Sequence, residues 1–394
     1  MSDLVVVGAG TMGAWTAWHA VRSGRATTLL DAYGAGNPRS TSGDETRLIR
    51  SSHGPDELYT RWSRESRRDW IALGDELGER FLVDSGALWF GHRDDGFEAS
   101  SEATLRAAGI PIERLSCDEV TARWPQISTD GLAFAMWEPE AGVLMARRAI
   151  AALAADVQRR GGGFELAPVR PGRRDGARLV DVTTADGRRF GGDDFVFACG
   201  PWLPRLFPEV LGALIRVTKQ DVLFMGPPGG DSRFVAAALP AWVDYDASYY
   251  GIPAIDGRGM KVAADRYGPV FDPTDGDRIV DPESVRLARR YAAIRFPALS
   301  GQPVVETRVC QYETTPDTHF VIDRHPELEN VWLVGGGSGH AFKQGPMIGR
   351  HVLGRIDGRA PVDGEERFGL STPRTTSLGM RTGGDSIVST WSSV

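Results

Sequence analysis

The sequence predicts a mixed α/β fold, in which a Rossmann-like nucleotide-binding domain is interleaved with a strand-rich domain. The first observation is a glycine fingerprint that lies between an apolar strand pattern and a helical pattern near the N-terminus. The second is that two further apolar strand patterns, at 195–198 and 330–334, run into glycine turns. The third is that such stretches alternate with strand-like ones, which favours interleaved rather than consecutive domains.

The fingerprint spans residues 8–13 and matches G-x-G-x-x-G. It follows the strand pattern 4–7 and opens a helical pattern that ends at Gly24. In this motif the first glycine permits a sharp turn, the second lets a pyrophosphate approach, and the third lets helix and strand pack closely. The helix N-terminus then faces the phosphates. The predicted dinucleotide-binding residues are Gly8, Gly10, Thr11, Met12, Gly13 and Asp31.

Asp31 closes the second strand pattern, 27–30, where an acid can accept hydrogen bonds from a ribose diol. An acid at this position argues against a 2′-phosphate, so NADP is not expected. The alternative is an accidental glycine-rich turn that binds nothing.

The remaining periodicities predict a series of helices and strands. The predicted helices are 59–77, 117–124, 147–160 and 282–294, and the second begins with a capping box formed by Ser116 and Glu119. The predicted strands are 83–91, 214–225, 242–252 and 259–265, with a strand pair over 134–144. The domain limits that follow are 1–82, 146–213 and 316–368 for the nucleotide-binding domain, 83–145 and 214–315 for the strand-rich domain, and 369–394 for a loosely ordered tail.

Composition narrows the class of protein. A net charge of −7 disfavours nucleic acid as a partner. No secretory leader and no apolar run of about 20 residues is found, so neither export nor membrane insertion is expected. Three scattered cysteines favour a reducing cytoplasm. No metal-ligand spacing occurs among the seven histidines, and the oligomeric state stays open, with a monomer favoured.

Several side chains outside the fingerprint attract attention by spacing. Arg47 and Arg50 would share a face on a helical turn, although two solvated arginines would look the same. Lys261 and Asp265 lie on one face of a predicted strand. Cys310, taken alone, is better explained as inert packing. A serine-hydrolase reading of Ser338 fails, because residue 340 is histidine where G-x-S-x-G needs glycine.

Taken together, these motifs resemble the monomeric sarcosine oxidase and N-methyltryptophan oxidase family, within the D-amino-acid-oxidase fold. The resemblance extends from Leu4 to about Phe368. The segments that carry it are 7–13, 46–50, 249–253 with Lys261, 310–312, 319–323 and 338–343.

The resemblance implies FAD, attached through the sulfur of Cys310, as the cofactor. It implies that Gly337, Ser338, Gly339 and Lys343 also lie against the flavin, where amides and a helix dipole favour negative charge on the reduced ring. If Cys310 carries the flavin, its side chain has a function and is not inert packing.

The resemblance also implies roles in substrate binding and catalysis. Arg50 and Lys343 match a pair that binds the substrate carboxylate, since a guanidinium grips it with two bonds and an ammonium adds a point charge. Lys261 matches a lysine implicated in oxygen activation, because a fixed cation beside the flavin stabilises the superoxide-like charge that forms when reduced flavin meets O2. Arg47 matches a second arginine near the flavin, and Tyr250 and Tyr312 match aromatic residues of the pocket.

Two positions depart from the family pattern. Gly43 and Asp265 stand where sarcosine oxidases place histidines. Gly43 is interpreted as enlarging or loosening the site. Asp265 could pair with Lys261, act as a base, or bind a second cationic group of the substrate, and as an anion it would raise the pKa of a nearby amine.

The expected activity is therefore oxidation of a secondary amino or imino acid, N-methyl or cyclic, with transfer of a hydride equivalent to FAD and formation of H2O2 from O2. The alternatives are a flavin-dependent dehydrogenase with another acceptor, an NAD-linked dehydrogenase, and a flavin-binding protein without turnover.

Overall fold

The protein is seen in a computed structural model, which describes residues 2–375. The helices of this part of the chain are α1 (Thr11–Arg22), α2 (Glu57–Leu77), α3 (Phe97–Ala107), α4 (Cys117–Arg123), α5 (Ala146–Arg159), α6 (Leu203–Leu206), α7 (Pro208–Leu211), α8 (Pro282–Arg295) and α9 (Gly345–Ile356). Its strands are β1 (Ser2–Val7), β2 (Thr27–Asp31), β3 (Thr46–Ile49), β4 (Leu82–Val83), β5 (Ala87–Gly91), β6 (Glu113–Leu115), β7 (Phe134–Glu138), β8 (Gly142–Met145), β9 (Gly163–Leu166), β10 (Val169–Pro171), β11 (Arg174–Asp175), β12 (Arg178–Leu179), β13 (Asp181–Thr184), β14 (Arg189–Phe197), β15 (Arg216–Met225), β16 (Ala241–Asp244), β17 (Tyr249–Ile252), β18 (Met260–Ala264), β19 (Val304–Thr314), β20 (Val321–Arg324) and β21 (Val331–Gly335).

The first sheet is the nucleotide-binding sheet. Its parallel part runs in the order β9, β2, β1, β14 and β21, and β20 adds an antiparallel edge. Strands covered on both faces need continuous apolar runs, and Leu4–Val6 of β1 are fully buried. Helix α1 packs against α9 so closely that a Cβ on Gly349 would come within 2.8 Å of the Trp15 backbone. The mixed α/β prediction is confirmed.

The second sheet is mostly antiparallel and runs in the order β19, β15, β18, β17, β16, β5, β7 and β6. Helix α8 covers one face, where Tyr291 and Ala292 join the apolar cluster of the sheet. Strands β15 and β19 pair over their whole length, which carries the Cys310 segment alongside Gln220. We keep the two interleaved domains as a proposal, supported by first-sheet strands that come from 2–31, 163–197 and 321–335.

Two local predictions were wrong. The strands β7 and β8 both form, but they do not pair with each other: β7 joins the second sheet, and β8 lies between β3 and β4 in a small third sheet. Arg47 lies in strand β3 and Arg50 directly follows that strand, so the segment is extended rather than a helical turn. Side chains alternate along a strand, so a spacing of three does not give these arginines a shared face.

Three further predictions concern a helix start, membrane helices and the C-terminal tail. The capping box of Ser116 and Glu119 is present at the start of α4, as predicted. Within residues 2–375, no helix is both long enough and apolar enough to cross a membrane. Of the predicted tail, Leu370 bonds to Asp323 and Arg374 forms an ion pair with Asp317, whereas 376–394 lie outside the described residues.

Candidate active site

A single large cavity of about 730 Å³ runs along the junction of the first and second sheets. It begins at the fingerprint turn after β1 and ends among charged and aromatic side chains carried by β3, β17 and the turn before α9. Fourteen of the predicted site residues line it: Gly8, Gly10, Thr11, Met12, Asp31, Arg47, Arg50, Tyr250, Asp265, Cys310, Tyr312, Gly337, Gly339 and Lys343. In the described part of the chain, Gly13, Lys261 and Ser338 stand behind this lining.

The fingerprint has the geometry that its glycines require. A Cβ on Gly8, whose φ is +105°, would meet the Ala198 carbonyl oxygen at 2.3 Å, and one on Gly13 would meet the Gly8 oxygen at 1.8 Å. A Cβ on Gly10 would find no atom closer than 3.5 Å, so its open side faces the cavity. Gly8 and Gly13 therefore serve the turn and the helix contact, while Gly10 leaves room for a ligand.

Asp31 sits at the end of β2 and holds the fingerprint in place. Its carboxylate accepts hydrogen bonds from the backbone N–H of Ala9, Tyr33 and Gly34, each at 2.8 Å. Burial nevertheless raises the pKa of Asp31 above its usual value, and the three N–H donors oppose that rise.

Cys310 lines the middle of the cavity from strand β19. Its Sγ lies 3.4 Å from an Nη atom of Arg47. Burial acts to lower the pKa of Arg47, but its neighbours Cys310 and Asp44 outweigh that effect and raise it. A guanidinium beside a cysteine sulfur, with partial exposure to a cavity, is the setting in which reactive cysteines are found.

Lys261 is bound to a carboxylate that the sequence analysis did not single out. Its Nζ lies 2.5 Å from Asp44 Oδ2, and both side chains are almost fully buried. Arg47 and Arg308 also reach Asp44, at 2.8 and 3.5 Å. Burial acts to raise the pKa of Asp44, but the charges of Lys261 and Arg47 hold it well below its usual value.

Asp265 has a different partner from the one its spacing suggested. It accepts a hydrogen bond from the hydroxyl of Tyr312 at 3.1 Å, while Lys261 is paired with Asp44. Tyr250 presents its ring to Lys261, with Nζ 5.5 Å from the ring centre. The Asp265 and Tyr312 pair thus forms one wall of the cavity beside Cys310.

At the far end, Arg50 and Lys343 lie near one buried histidine. Arg50 donates to the Ser52 carbonyl and lies 5.3 Å from the centre of the Trp89 ring, and Lys343 Nζ donates to the His340 carbonyl at 2.8 Å. Burial, followed by the charges of Arg50 and Lys343, lowers the pKa of His53 well below its usual value. This end of the cavity is therefore positively charged around a neutral imidazole.

One sequence-based interpretation needs correction, and the cofactor contact predicted for Ser338 stays a prediction. Gly43 does not enlarge the cavity, because a Cβ there would lie 1.8 Å from the Asn37 carbonyl oxygen, in a turn behind the lining. Ser338, predicted at the cofactor, is fully buried and bonds to the Gly336 carbonyl at 2.9 Å. Both residues shape the loops that carry their neighbours, Asp44 and Gly337.

Many lining residues were not predicted as site residues, and four of them have contacts that bear on the chemistry. Asp44, His53, Trp89 and Glu313 come from separate segments, and each became recognisable only through its contacts. A signal was available for one of them. Asp44 lies two residues before the Thr46–Arg50 motif, in a polar loop expected to pass the cofactor.

Residues 3–355 match the family described as DAO: FAD dependent oxidoreductase. The chain is 30% identical to a monomeric sarcosine oxidase of Streptomyces avermitilis, covering 89% of this chain and 92% of the relative. It is 26% identical to an N-methyl-L-tryptophan oxidase of Salmonella arizonae, covering 88% and 92%.

Among solved structures, the L-proline dehydrogenase from P. horikoshii superimposes with a TM-score of 0.82 at 21% identity, over 94% of this chain and 96% of that one. At that identity the similarity concerns the fold alone. The family match spans most of the chain, and the resemblance inferred from the motifs is confirmed. The chain belongs to the DAO family of FAD dependent oxidoreductases.

Proposed function

We propose that this protein oxidises a secondary amino acid, N-methyl or cyclic, with FAD as cofactor and O2 as the electron acceptor. The observation that carries the proposal is the single cavity that connects the dinucleotide fingerprint to Arg50 and Lys343 by way of Cys310. A cofactor and a carboxylate substrate could therefore meet in one enclosed space. The sarcosine and N-methyl-L-tryptophan oxidases among the relatives support this class of substrate.

The residues present fit FAD. Gly10 leaves an open side at the N-terminus of α1, where a pyrophosphate is favoured by backbone N–H groups and the helix dipole. The cavity continues past Gly337, Gly339 and Lys343, which would line the ring. The bound flavin would accept a hydride equivalent from the C–H beside the substrate nitrogen and return the electrons to O2, giving H2O2.

Substrate binding falls to the positive end of the cavity. Arg50 would hold the substrate carboxylate with two hydrogen bonds, and Lys343 would add a second charge. Neutral His53 separates them from the interior without adding a third positive charge. Tyr312 would form the wall that orients the substrate toward Cys310.

The remaining side chains would control protons and charge. Asp265, hydrogen-bonded to Tyr312, is placed to accept a proton from the substrate amine, because oxidation of the neighbouring C–H needs the free amine. Arg47 would stabilise negative charge near Cys310, and Tyr250 would close the site beside Lys261.

Anaerobic mixing with a panel of N-methyl, cyclic and ordinary L- and D-amino acids tests the activity. We expect at least one secondary amino acid to bleach the flavin absorbance, and peroxide to appear when air is admitted. Failure of every amino acid to bleach a flavin-replete preparation would contradict the proposal.

The covalent attachment is tested separately. We propose that the sulfur of Cys310 carries the flavin, since Arg47 lies 3.4 Å from it in the cavity. After acid precipitation, the yellow colour should stay in the pellet for the wild type and pass to the supernatant for Cys310→Ala. Cys117→Ala is the matched control, since this cysteine lies outside the cavity lining. Colour that stays in the Cys310→Ala pellet would reject the linkage.

A dehydrogenase that uses an acceptor other than O2 is the second candidate, and one observation favours it. The charge of Lys261 is matched by Asp44 at 2.5 Å, and Asp44, rather than Lys261, faces the cavity. An ion-paired ammonium stabilises superoxide-like charge less than an unpaired one does. An NAD-linked activity is not proposed, because the family is FAD dependent.

Rapid mixing of the reduced enzyme with O2, and separately with an artificial acceptor, distinguishes the two candidates. If the Asp44–Lys261 ion pair suppresses the reaction with O2, Asp44→Asn should raise the rate constant for reoxidation by O2 about tenfold or more. The rate with the artificial acceptor should stay unchanged. A fast wild-type reaction that falls in Lys261→Met would favour the oxidase instead.

A further inference from the structure

Glu313 is a buried acid on the cavity wall that none of the roles above uses. It lies three residues after Cys310 in strand β19, and only 5% of its surface is exposed. Because side chains alternate along a strand, Glu313 points to the opposite face from Cys310 and Tyr312. It therefore faces the nucleotide end of the cavity rather than the substrate end.

Three glycines from two separate segments surround its carboxyl group. A Cβ on Gly200 would lie 3.7 Å from Oε2, one on Gly335 would lie 3.4 Å from Oε2, and one on Gly337 would lie 3.2 Å from Oε1. Since none of these residues has a side chain, the carboxyl group packs against backbone alone, and Glu313, Gly200 and Gly337 line the cavity together.

The two carboxyl oxygens are not equivalent. Oε1 accepts a hydrogen bond from the N–H of Gly337, at 3.4 Å. Oε2 is fully buried, and no hydrogen-bond partner for it exists within residues 2–375. Buried polar atoms are nearly always satisfied, so an unsatisfied oxygen beside a cavity indicates a bonding group supplied by a ligand.

The charges around Glu313 decide which kind of group that is. The titratable neighbours that face it are Cys199, at the end of β14, and beyond it Asp31 of β2. Helix α1 contributes the apolar Met12, and no lysine, arginine or histidine in the described residues forms an ion pair with Glu313. Burial raises the pKa of Glu313 to about 8, against the opposing effect of the Gly337 and Gly336 N–H groups. The carboxyl group is thus neutral at pH 7 and has an O–H to donate.

We propose that Glu313 is a cofactor-binding residue whose neutral carboxyl group donates a hydrogen bond from Oε2 to an oxygen acceptor of bound FAD. This inference rests on the proposed use of FAD in this cavity. The acceptor belongs to the part of the cofactor that lies between the fingerprint and the ring, because Glu313 lies beside Gly200 and Gly337, and Met12 of the fingerprint lies next to Gly337. An ionised Glu313 would lose its donor and repel phosphate charge, so FAD binding should be accompanied by proton uptake at alkaline pH.

The test measures FAD affinity in the full-length chain carrying Cys310→Ser, so that FAD can dissociate whether or not it is normally attached. Flavin fluorescence gives Kd between pH 6.5 and 9.5. With Glu313 intact, Kd should rise about tenfold from pH 7 to pH 9, as expected for a site that binds only in its protonated form with a pKa near 8.

Two substitutions at this position make the assignment specific. In Glu313→Gln the amide still donates, so FAD should bind at pH 7 within about threefold of the parent, and the dependence on pH should vanish. In Glu313→Ala the donor is absent, and FAD should bind about tenfold more weakly at every pH.

Glu98→Gln is the matched control. Glu98 is equally buried, neither of its carboxyl oxygens has a hydrogen-bond partner in the described chain, and burial raises its pKa to about 7, but it lies outside the cavity lining. This variant should keep the pH profile of the parent.

Two outcomes would overturn the inference: a Glu313→Gln profile that still follows pH, or Glu313→Ala binding as tightly as the parent. If the Glu313 variants do not fold, titration calorimetry on the parent in buffers of different ionisation heat decides. Uptake of about one proton per FAD at pH 9 is expected, and none would refute the inference. A substrate screen does not enter this test, so failure of the proposed activity and failure of this inference remain distinguishable.

Discussion

The cavity is bordered by two groups of buried or half-buried cations whose partners differ. At the substrate end, Arg50 and Lys343 line the open space and donate to backbone carbonyl groups. Behind the middle of the cavity, Lys261 is held by the carboxylate of Asp44, which also receives Arg47. Cations that face a cavity can bind an anionic ligand, whereas a cation matched by a buried carboxylate mainly contributes to the structure. Residue type alone does not distinguish the two groups.

The largest effect should come from the cavity-lining group. Arg50→Ala or Lys343→Met should lower kcat/KM for an amino acid about 100-fold or more, because losing one partner of a buried charge pair costs about 2–5 kcal/mol. Steady-state kinetics measures this loss. The amide analogue of the same substrate, which lacks the carboxylate, should be almost insensitive to either change. Equal losses for both compounds would show that these cations do not bind the carboxylate.

The second prediction concerns the matched group. Lys261→Met leaves the buried carboxylate of Asp44 without its closest partner, and should lower the free energy of unfolding by about 3 kcal/mol. Denaturant unfolding measures it, and adding Asp44→Asn should restore much of the loss. Glu283→Gln, which removes an exposed partner of Arg286, is the control and should change stability by less than about 1 kcal/mol. A small effect of Lys261→Met would erase the contrast between the groups.

A third prediction tests the turn that carries Asp44 to Lys261. Gly43→Ala brings a Cβ within 1.8 Å of the Asn37 carbonyl oxygen, so the turn must move, at a cost of about 1–3 kcal/mol. Thermal unfolding gives the change. Gly229→Ala, at a site with no atom within 4 Å, should be neutral or slightly stabilising. Unchanged stability of Gly43→Ala would contradict the close contact.

The smallest effect is expected at His53. Burial and the charges of Arg50 and Lys343 hold the pKa of His53 well below its usual value of 6.5, so the imidazole stays neutral at and above that pH. His53→Gln should therefore leave the shape of the kcat/KM profile against pH unchanged in this range. In Arg50→Ala the pKa of His53 should rise, since one of the charges that lowers it is gone; NMR of the ring protons measures this. A His53 that titrates near pH 6.5 in the wild type would contradict the positive character of this end.

The sequence predicted the nucleotide end of the cavity better than the substrate end. The fingerprint at 8–13 is a local motif whose glycine spacing is sufficient to predict strand, turn and helix, although its glycines also pack against the distant Ala198. The Arg47 and Arg50 segment could not be predicted in this way, because a run of four residues fits a strand or a helical turn equally well until β8 pairs with it. The turn between β7 and β8 was predicted as a hairpin because the residues of a strand do not show which strand it pairs with.

The sequence by itself determined the fold class and the family, and most of the site residues that it predicted line the cavity, since these depend on short motifs. Only the tertiary structure decided which charges meet. Asp44 and Lys261 are 217 residues apart, and Glu313 meets glycines from two separate turns. The free energy of a buried charge depends on its neighbours in space and on its distance from water, and neither is encoded by spacing along the chain.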